Sequence, residues 1–276
     1  MLHVPKPLVS VHWLNQHLAD ENLIVLDATI GKVTEANSDS NASTQIASAR
    51  FFDIKQKFSD TNASFPNTFP SVEQFTAQAQ ALGIHNDSCI VVYDDKGIYS
   101  SARVWWMFKA FGFNNVAVLD GGLPEWIKHN YPLEIKADYS GKPGNFTASY
   151  NTEFIKFFDD VVNEVGEDNH IIVDARSHAR FSGEEPEPRV GLRSGNIPSS
   201  FNIPYTSLLE NGCFKDIEQL QAIFKAVLSE HKQTTFTCGS GITACVLALG
   251  AELSGYKNLS IYDGSWTEWG SLTEDE

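Results

Sequence analysis

The chain's clearest chemical candidate is Cys238. Thr234-Thr235-Phe236-Thr237 reads as a buried strand running into it, Gly239-Ser240-Gly241-Ile242-Thr243 forms a short loop, and Ala244-Cys245-Val246-Leu247-Ala248-Leu249 starts an apolar helix. Such a strand, loop and helix place a thiol at the carboxyl end of a parallel strand, where open α/β sheets bind their ligands. The two glycines permit backbone conformations closed to other residues, so successive N–H groups can form an anion-binding nest. The start of the helix adds unsatisfied donors and the positive end of its dipole. Thiolate is the nucleophilic form of cysteine, and a thiolate or a persulfide anion is stabilised in such a place. The chemistry this favours is covalent catalysis at sulfur. A cysteine phosphatase needs an arginine six positions past its nucleophile, and Ala244 stands there. Ser240 does not sit in a Gly-x-Ser-x-Gly elbow, because Cys238 takes the place of the first glycine. Cys89 opens a strand, Cys213 lies in an Asn-Gly turn region and Cys245 lies on the apolar helix, so all three read as structural.

The elements that position Cys238 occur twice. Leu23–Ala28 and Cys89–Asp94 read as buried strands, followed by a helical run from Ala102 to Phe111 and by Val116–Leu119 ahead of Asp120-Gly121-Gly122 and Trp126. His170–Arg176, Thr234–Cys238, a helix from Thr243 to Leu253, and Leu259–Tyr262 ahead of Asp263-Gly264-Ser265 and Trp269 repeat that order. Short apolar strands alternating with helices predict an α/β fold of two tandem domains, each a mainly parallel sheet with helices on both faces. The first domain is expected over 1–139, a polar Gly/Pro linker over 140–150 and the second domain over 151–276. The Asn-, Ser- and Thr-rich stretch 31–47 reads as a surface loop. Trp105, Trp106, Trp126, Trp266 and Trp269 read as core or interdomain packing.

The formal charge of −15 argues against nucleic acid or an anionic membrane as a partner. An acidic protein that handles a small anion needs a local cluster of cations to hold it. No apolar stretch reaches the roughly 20 residues of a membrane span, and the first residues do not read as a signal peptide. Free cysteines without an export signal point to a reducing compartment, the cytoplasm. No cysteine pair is spaced as a metal-binding knuckle, so neither a metal nor a cofactor is expected.

Cys238-Gly239-Ser240-Gly241-Ile242-Thr243-Ala244 resembles the active-site loop of the 3-mercaptopyruvate sulfurtransferases of the rhodanese superfamily, usually Cys-Gly-Ser-Gly-Val-Thr-Ala. Thiosulfate-specific rhodaneses carry Cys-Arg-Lys-Gly-Val-Thr-Ala instead, and two cations in the loop suit a dianion whose charge sits beside the transferred sulfur. The neutral Gly239-Ser240 pair suits a donor whose charge lies farther off, on a carboxylate. Arg180-Phe181 and Pro186-Glu187-Pro188-Arg189 resemble the family's Gly-Arg-Phe and Pro-Glu-Pro-Arg stretch. Arg50–Ile54, Val104-Trp105-Trp106, Ser194–Pro198, the two Asp-Gly turns and Val173–Arg176 also look like family segments, with Asp174 and Arg176 read as fixing loops.

The resemblance implies that Cys238 takes a sulfane sulfur from 3-mercaptopyruvate as a persulfide and passes it to a thiol, cyanide or a thioredoxin-like protein. The N–H groups of Gly239, Ser240, Gly241, Ile242 and Thr243 would hold the persulfide. Arg180 and Arg189 would hold the donor's carboxylate and carbonyl, arginine's fork matching a carboxylate. An alternative for the arginines is pairing with Glu184, Glu185 and Glu187 on a solvated loop. The chain departs from the family where an Asp and a His commonly assist proton transfer: Lys55 and Asn67 stand there, with Lys55 able to favour a thiolate by its charge. The position matching Cys238 in the first domain falls near Asp94, with Asp95–Ser100 as its loop and no thiol, so that domain is expected to be inactive and to supply one wall of the cleft. Thiosulfate as donor, and a non-catalytic sulfur carrier that keeps the fold, stay open as alternatives.

Overall fold

The computed structural model describes residues 1–30, 43–229 and 232–274. It divides into two compact units: 1–60, 69–151 and 211–214 form the first, and 61–68, 152–210 and 215–276 the second. The short segment 61–68 thus belongs with the half that carries Cys238.

The strands of the first unit include Leu8–Val9 (β1), Leu23–Asp27 (β2), Thr44–Ile46 (β3), Arg50–Phe51 (β4), Cys89–Tyr93 (β5), Val116–Leu119 (β6) and Leu133–Ile135 (β7). Five of them form a parallel sheet in the order β1-β6-β5-β2-β4. The second unit contains Ile155–Lys156 (β8), His170–Asp174 (β9), Phe201–Asn202 (β10), Leu209–Glu210 (β11), Gln233–Thr237 and Leu259–Tyr262. Its sheet runs β8, 259–262, 233–237, β9, β10, again all parallel. The two orders are the same, position for position. Both central strands are buried along almost their whole length, as parallel strands covered by helices must be.

The registers fix the internal equivalence. Asp27 lies opposite Tyr93 in the first sheet and Asp174 opposite Thr237 in the second. The next residues, Asp94 and Cys238, therefore hold corresponding places. Both backbone carbonyls accept a 3.0 Å hydrogen bond from the helix after the last large strand, from Leu123 and Trp266 respectively.

Part of the stretch read as a surface loop is not one. Residues 31–42 lie outside the described residues, but Thr44–Ile46 pairs antiparallel with Leu133–Ile135, and Gln45 and Ile46 are buried. The Gln45 side-chain amide bonds Ala49 O and Glu134, so a polar residue is satisfied inside and the strand is kept. Residues 144–151, within the polar stretch after the first unit's last strand, run along that unit. Gly144 donates to Gln80 O and Phe146 to Ile84 O, and Phe146 is buried. A Cβ at Gly144 would lie 1.8 Å from Ile84 O, so only glycine allows that approach.

The tryptophans expected in the core are buried there. Among the described residues no helix is long and apolar enough to cross a membrane. Cys89 is buried at the start of its strand, and burial, reinforced by Asp20, raises its thiol to about 11 from an ordinary 9.0. A group whose folded pKa is raised stabilises the fold below its unfolded value, and that contribution is lost as pH climbs to the folded value. Wild-type protein should therefore lose more melting temperature between pH 9 and 11 than Cys89→Ala, measured by thermal denaturation at a series of pH values.

Candidate active site

Cys238 follows the end of Gln233–Thr237 and is 2% exposed. The helix after it, Ala244–Leu253, begins beyond Thr243, so the loop is the whole of 239–243. The two loop glycines do different things. Gly241 has φ +74°, the left-handed conformation that favours glycine, as does Gly97 at the corresponding place in the first unit, at +96°. Gly239 is not left-handed; it supplies room. A Cβ there would stand 3.2 Å from a terminal nitrogen of Arg180 and 3.8 Å from one of Arg189. Both arginines singled out in the sequence therefore lie against the residue after the cysteine.

The loop is tied down by Ser265, at the start of the helix Ser265–Leu272. Its Oγ accepts from the N–H groups of Cys238 (3.2 Å) and Gly241 (3.1 Å) and donates to Tyr262 O (2.8 Å). Ser265 does this at φ +52°, a strained conformation for a residue with a side chain, whereas the first unit has Gly122 at +51° in that place. Trp266 N–H donates to Cys238 O, and both the N–H and the hydroxyl of Thr267 donate to Gly239 O. Among the described residues the N–H groups of Gly239, Ser240, Ile242 and Thr243 have no acceptor. A loop with its carbonyls fixed and several N–H groups open can hold an anion.

The first unit shows what such a loop does when it has an anion of its own. Asp94, fully buried, accepts at its carboxylate from the N–H groups of Lys96 (3.0 Å), Tyr99 (2.8 Å) and Ser101 (2.9 Å). Lys96 and Tyr99 correspond to Ser240 and Thr243. The Asp94 carboxylate fills the cradle that stays open around Cys238.

Arg180 is not on a solvated loop. Its Nε and a terminal nitrogen clasp Glu187, at 3.2 and 2.6 Å, and the Glu187 side chain is fully buried. Arg176 donates to the same carboxylate at 2.7 Å and clasps Asp174 at 2.7–3.1 Å. It also donates to Gly195 O and lies 4.6 Å from the Trp266 ring centroid. Burial pulls the Arg176 guanidinium down, but Asp174 and then Glu187 more than offset it and hold its pKa above the usual value. Arg189 donates to Ser240 Oγ at 3.2 Å. Asn67 donates from its amide to both Ser240 Oγ (3.0 Å) and Ser240 O (3.3 Å). Lys55 is exposed in the turn after Arg50–Phe51 of the first unit.

Glu187 and Ser265 organise this site, and neither stands out from residue type alone. In the sequence Glu187 is one acid among several beside arginines, and Ser265 part of a structural Asp-Gly-Ser turn. The remaining cysteines have other duties. Cys245, in the helix, donates to Gly241 O of the loop, and Cys213 packs against Gly121, where burial, with Asp120 and Glu125, raises its thiol to about 11. Among the described residues no group of three or more His, Cys, Asp or Glu is placed to hold a metal ion.

Ser265→Ala removes the acceptor shared by the N–H groups of Cys238 and Gly241 at the base of the loop. It should destabilise the protein by about 1–3 kcal/mol in urea unfolding, the cost of removing a buried hydrogen-bond partner.

Comparisons with known proteins agree with the duplicated architecture. The family model described as a rhodanese-like domain matches twice, over residues 10–129 and 158–272. The human protein named 3-mercaptopyruvate sulfurtransferase is 40% identical over 278 residues, covering 96% of this chain and 92% of its own length. An Arabidopsis thaliana protein named thiosulfate/3-mercaptopyruvate sulfurtransferase 1, mitochondrial, is 38% identical over 288 residues, covering 96% of this chain and 76% of its own. The crystal structure of SseA from Escherichia coli, described with the rhodanese fold and the mechanism of 3-mercaptopyruvate sulfotransferases, superposes with a TM-score of 0.84. It shares 33% identity and covers 95% of this chain and 99% of its own.

Proposed function

The chain belongs to the rhodanese-like domain family, and we propose that it is a sulfurtransferase that moves a sulfane sulfur from 3-mercaptopyruvate to a thiol or cyanide through a persulfide on Cys238. The observation that carries this reading is the meeting of Arg180 and Arg189 at Gly239, directly after Cys238.

In the first half-step the Cys238 thiolate attacks the sulfur of mercaptopyruvate. The new S–S bond forms as the C–S bond breaks, and its electron pair leaves on pyruvate as the enolate, which takes a proton from water. Arg180, presented by buried Glu187, and Arg189, beside Ser240, bind the donor's carboxylate and carbonyl. The open N–H groups of the loop stabilise the persulfide in place, the role the Asp94 carboxylate has in the other unit. In the second half-step a thiol, cyanide or a thioredoxin-like protein attacks the outer sulfur and Cys238 leaves as thiolate. No metal or organic cofactor takes part. The first unit, whose cradle is filled by Asp94, carries no sulfur.

Thiosulfate is the second donor to test, because two guanidiniums at Gly239 can also hold a dianion and the Arabidopsis relative is named for both donors. A sulfur carrier without turnover would form the persulfide and release it slowly to small acceptors. For location we propose a reducing compartment, the cytoplasm, where the four free cysteines stay as thiols.

Steady-state sulfur release with both donors and a panel of acceptors tests these readings. Cys238→Ser should abolish transfer, and mercaptopyruvate should give the higher kcat/KM. Arg180→Ala and Arg189→Ala should each lower kcat/KM for mercaptopyruvate about 10- to 100-fold, the loss of one charged hydrogen bond of about 1.5–3 kcal/mol. Retained activity in Cys238→Ser would overturn the assignment.

A further inference from the structure

We infer that Asn67 is a positioning residue that, together with Arg189, forces the Ser240 hydroxyl to act as a hydrogen-bond donor to the bound 2-oxo acid. The inference rests on the sulfurtransferase reading above and concerns how its serine works.

A serine hydroxyl has two acceptor lone pairs and one proton. At Ser240 both lone pairs are taken, one by the Arg189 guanidinium at 3.2 Å and one by the Asn67 amide at 3.0 Å. An arginine can only donate. An asparagine amide could in principle be turned to accept, but the same Asn67 amide group also lies 3.3 Å from Ser240 O. A backbone carbonyl can only accept, so the nitrogen must face it, and the orientation of the amide is settled by that second contact. Ser240 is then left with one polar capability, its own O–H, on a side chain that is nearly buried. Asn67 is held for this task in a left-handed conformation, φ +63°, which asparagine tolerates better than most residues.

A donor fixed in this way suits the carbonyl of a 2-oxo acid. As the C–S bond breaks, negative charge grows on that oxygen, and a hydrogen bond aimed at it strengthens in the transition state. Ser240 keeps its proton throughout; the enolate is protonated by water. An amide and a guanidinium do not titrate near neutral pH, so the polarity of the serine does not vary with pH.

Asn67→Asp reverses the contact, because a carboxylate can only accept and would draw the serine proton toward itself. Turnover of mercaptopyruvate at pH 8 should fall on the order of 100-fold, mainly in kcat, comparable to loss of one oxyanion donor. The deficit relative to wild type should shrink as pH is lowered toward 5, since the introduced carboxyl group can donate again once it is protonated. A side chain with a merely structural role would show no such recovery. A double-mutant cycle gives an independent reading from milder variants: Asn67→Ala should lower kcat in the wild-type background and have no further effect in Ser240→Ala. An Asn67→Asp enzyme with near-normal kcat at pH 8, a deficit independent of pH, or additive effects in the cycle would overturn the inference. Cys238→Ser run alongside separates the two claims: if it is inactive while Asn67→Asp is fully active, the sulfurtransferase reading stands and only the role of Asn67 falls.

Discussion

When a parallel strand turns into a helix, a row of N–H groups is left facing the same point, and those groups require negative charge. The chain meets that requirement in two ways on one backbone plan. In the first unit Asp94 folds its carboxylate back onto two N–H groups of its own loop and one at the start of the following helix, and the turn closes on itself. In the second unit the residue in that place is Cys238, which has no carboxylate to tie the loop down. Ser265 does the tying from behind instead, at a position where the first unit has a glycine. The exchange of Asp for Cys and of Gly for Ser belong together: one opens the cradle and the other restores its rigidity.

Positive charge stands beside the open cradle in a chain that is acidic overall, and loose surface arginines would not keep such places. Here the cations are held by buried acids. Asp174, at the end of its strand, fixes Arg176; Arg176 and Glu187 fix each other; Glu187 presents Arg180. Each carboxylate neutralises part of the charge it orients, and the guanidinium at the far end keeps donors to give a ligand. A buried carboxylate between two guanidiniums has both partners paired and bonded, the condition under which a buried charge is tolerated. Trp266, beneath Arg176, contributes a flat surface to the same stack.

How much of this is legible without coordinates follows from the range of the forces involved. The strands, the helices, the duplication and the cysteine loop are written in local periodicity and spacing, and the sheets repeat one order as the duplicated pattern implies. Arg180, Arg189 and Asn67 can be named because they lie in recognisable stretches, but their geometry depends on contacts across 50 to more than 170 positions, such as Asn67 to Ser240. Ser265 and Glu187 are hidden for another reason: their residue types are ordinary, and their importance comes entirely from what they face. Gly239 is legible as a glycine but not in its purpose, since the need for space beside a guanidinium leaves no mark in its neighbours. The strand Thr44–Ile46 is masked by polar composition, its Gln45 being satisfied internally by Ala49 and Glu134.

The partners of the cysteine loop also bear on how a thiol becomes a thiolate there. Asn67, Arg189, Ser265 and Thr267, which bond the loop directly, do not titrate near neutral pH. None of them is a general base; near neutral pH their hydroxyl, amide and guanidinium groups donate or accept hydrogen bonds. What they supply is a fixed field: N–H groups, the start of a helix, and guanidiniums that stay charged. Such a field favours an anion lying in the cradle. Holding an anion in place is what this set of residues is suited to; a base for a proton is not among them.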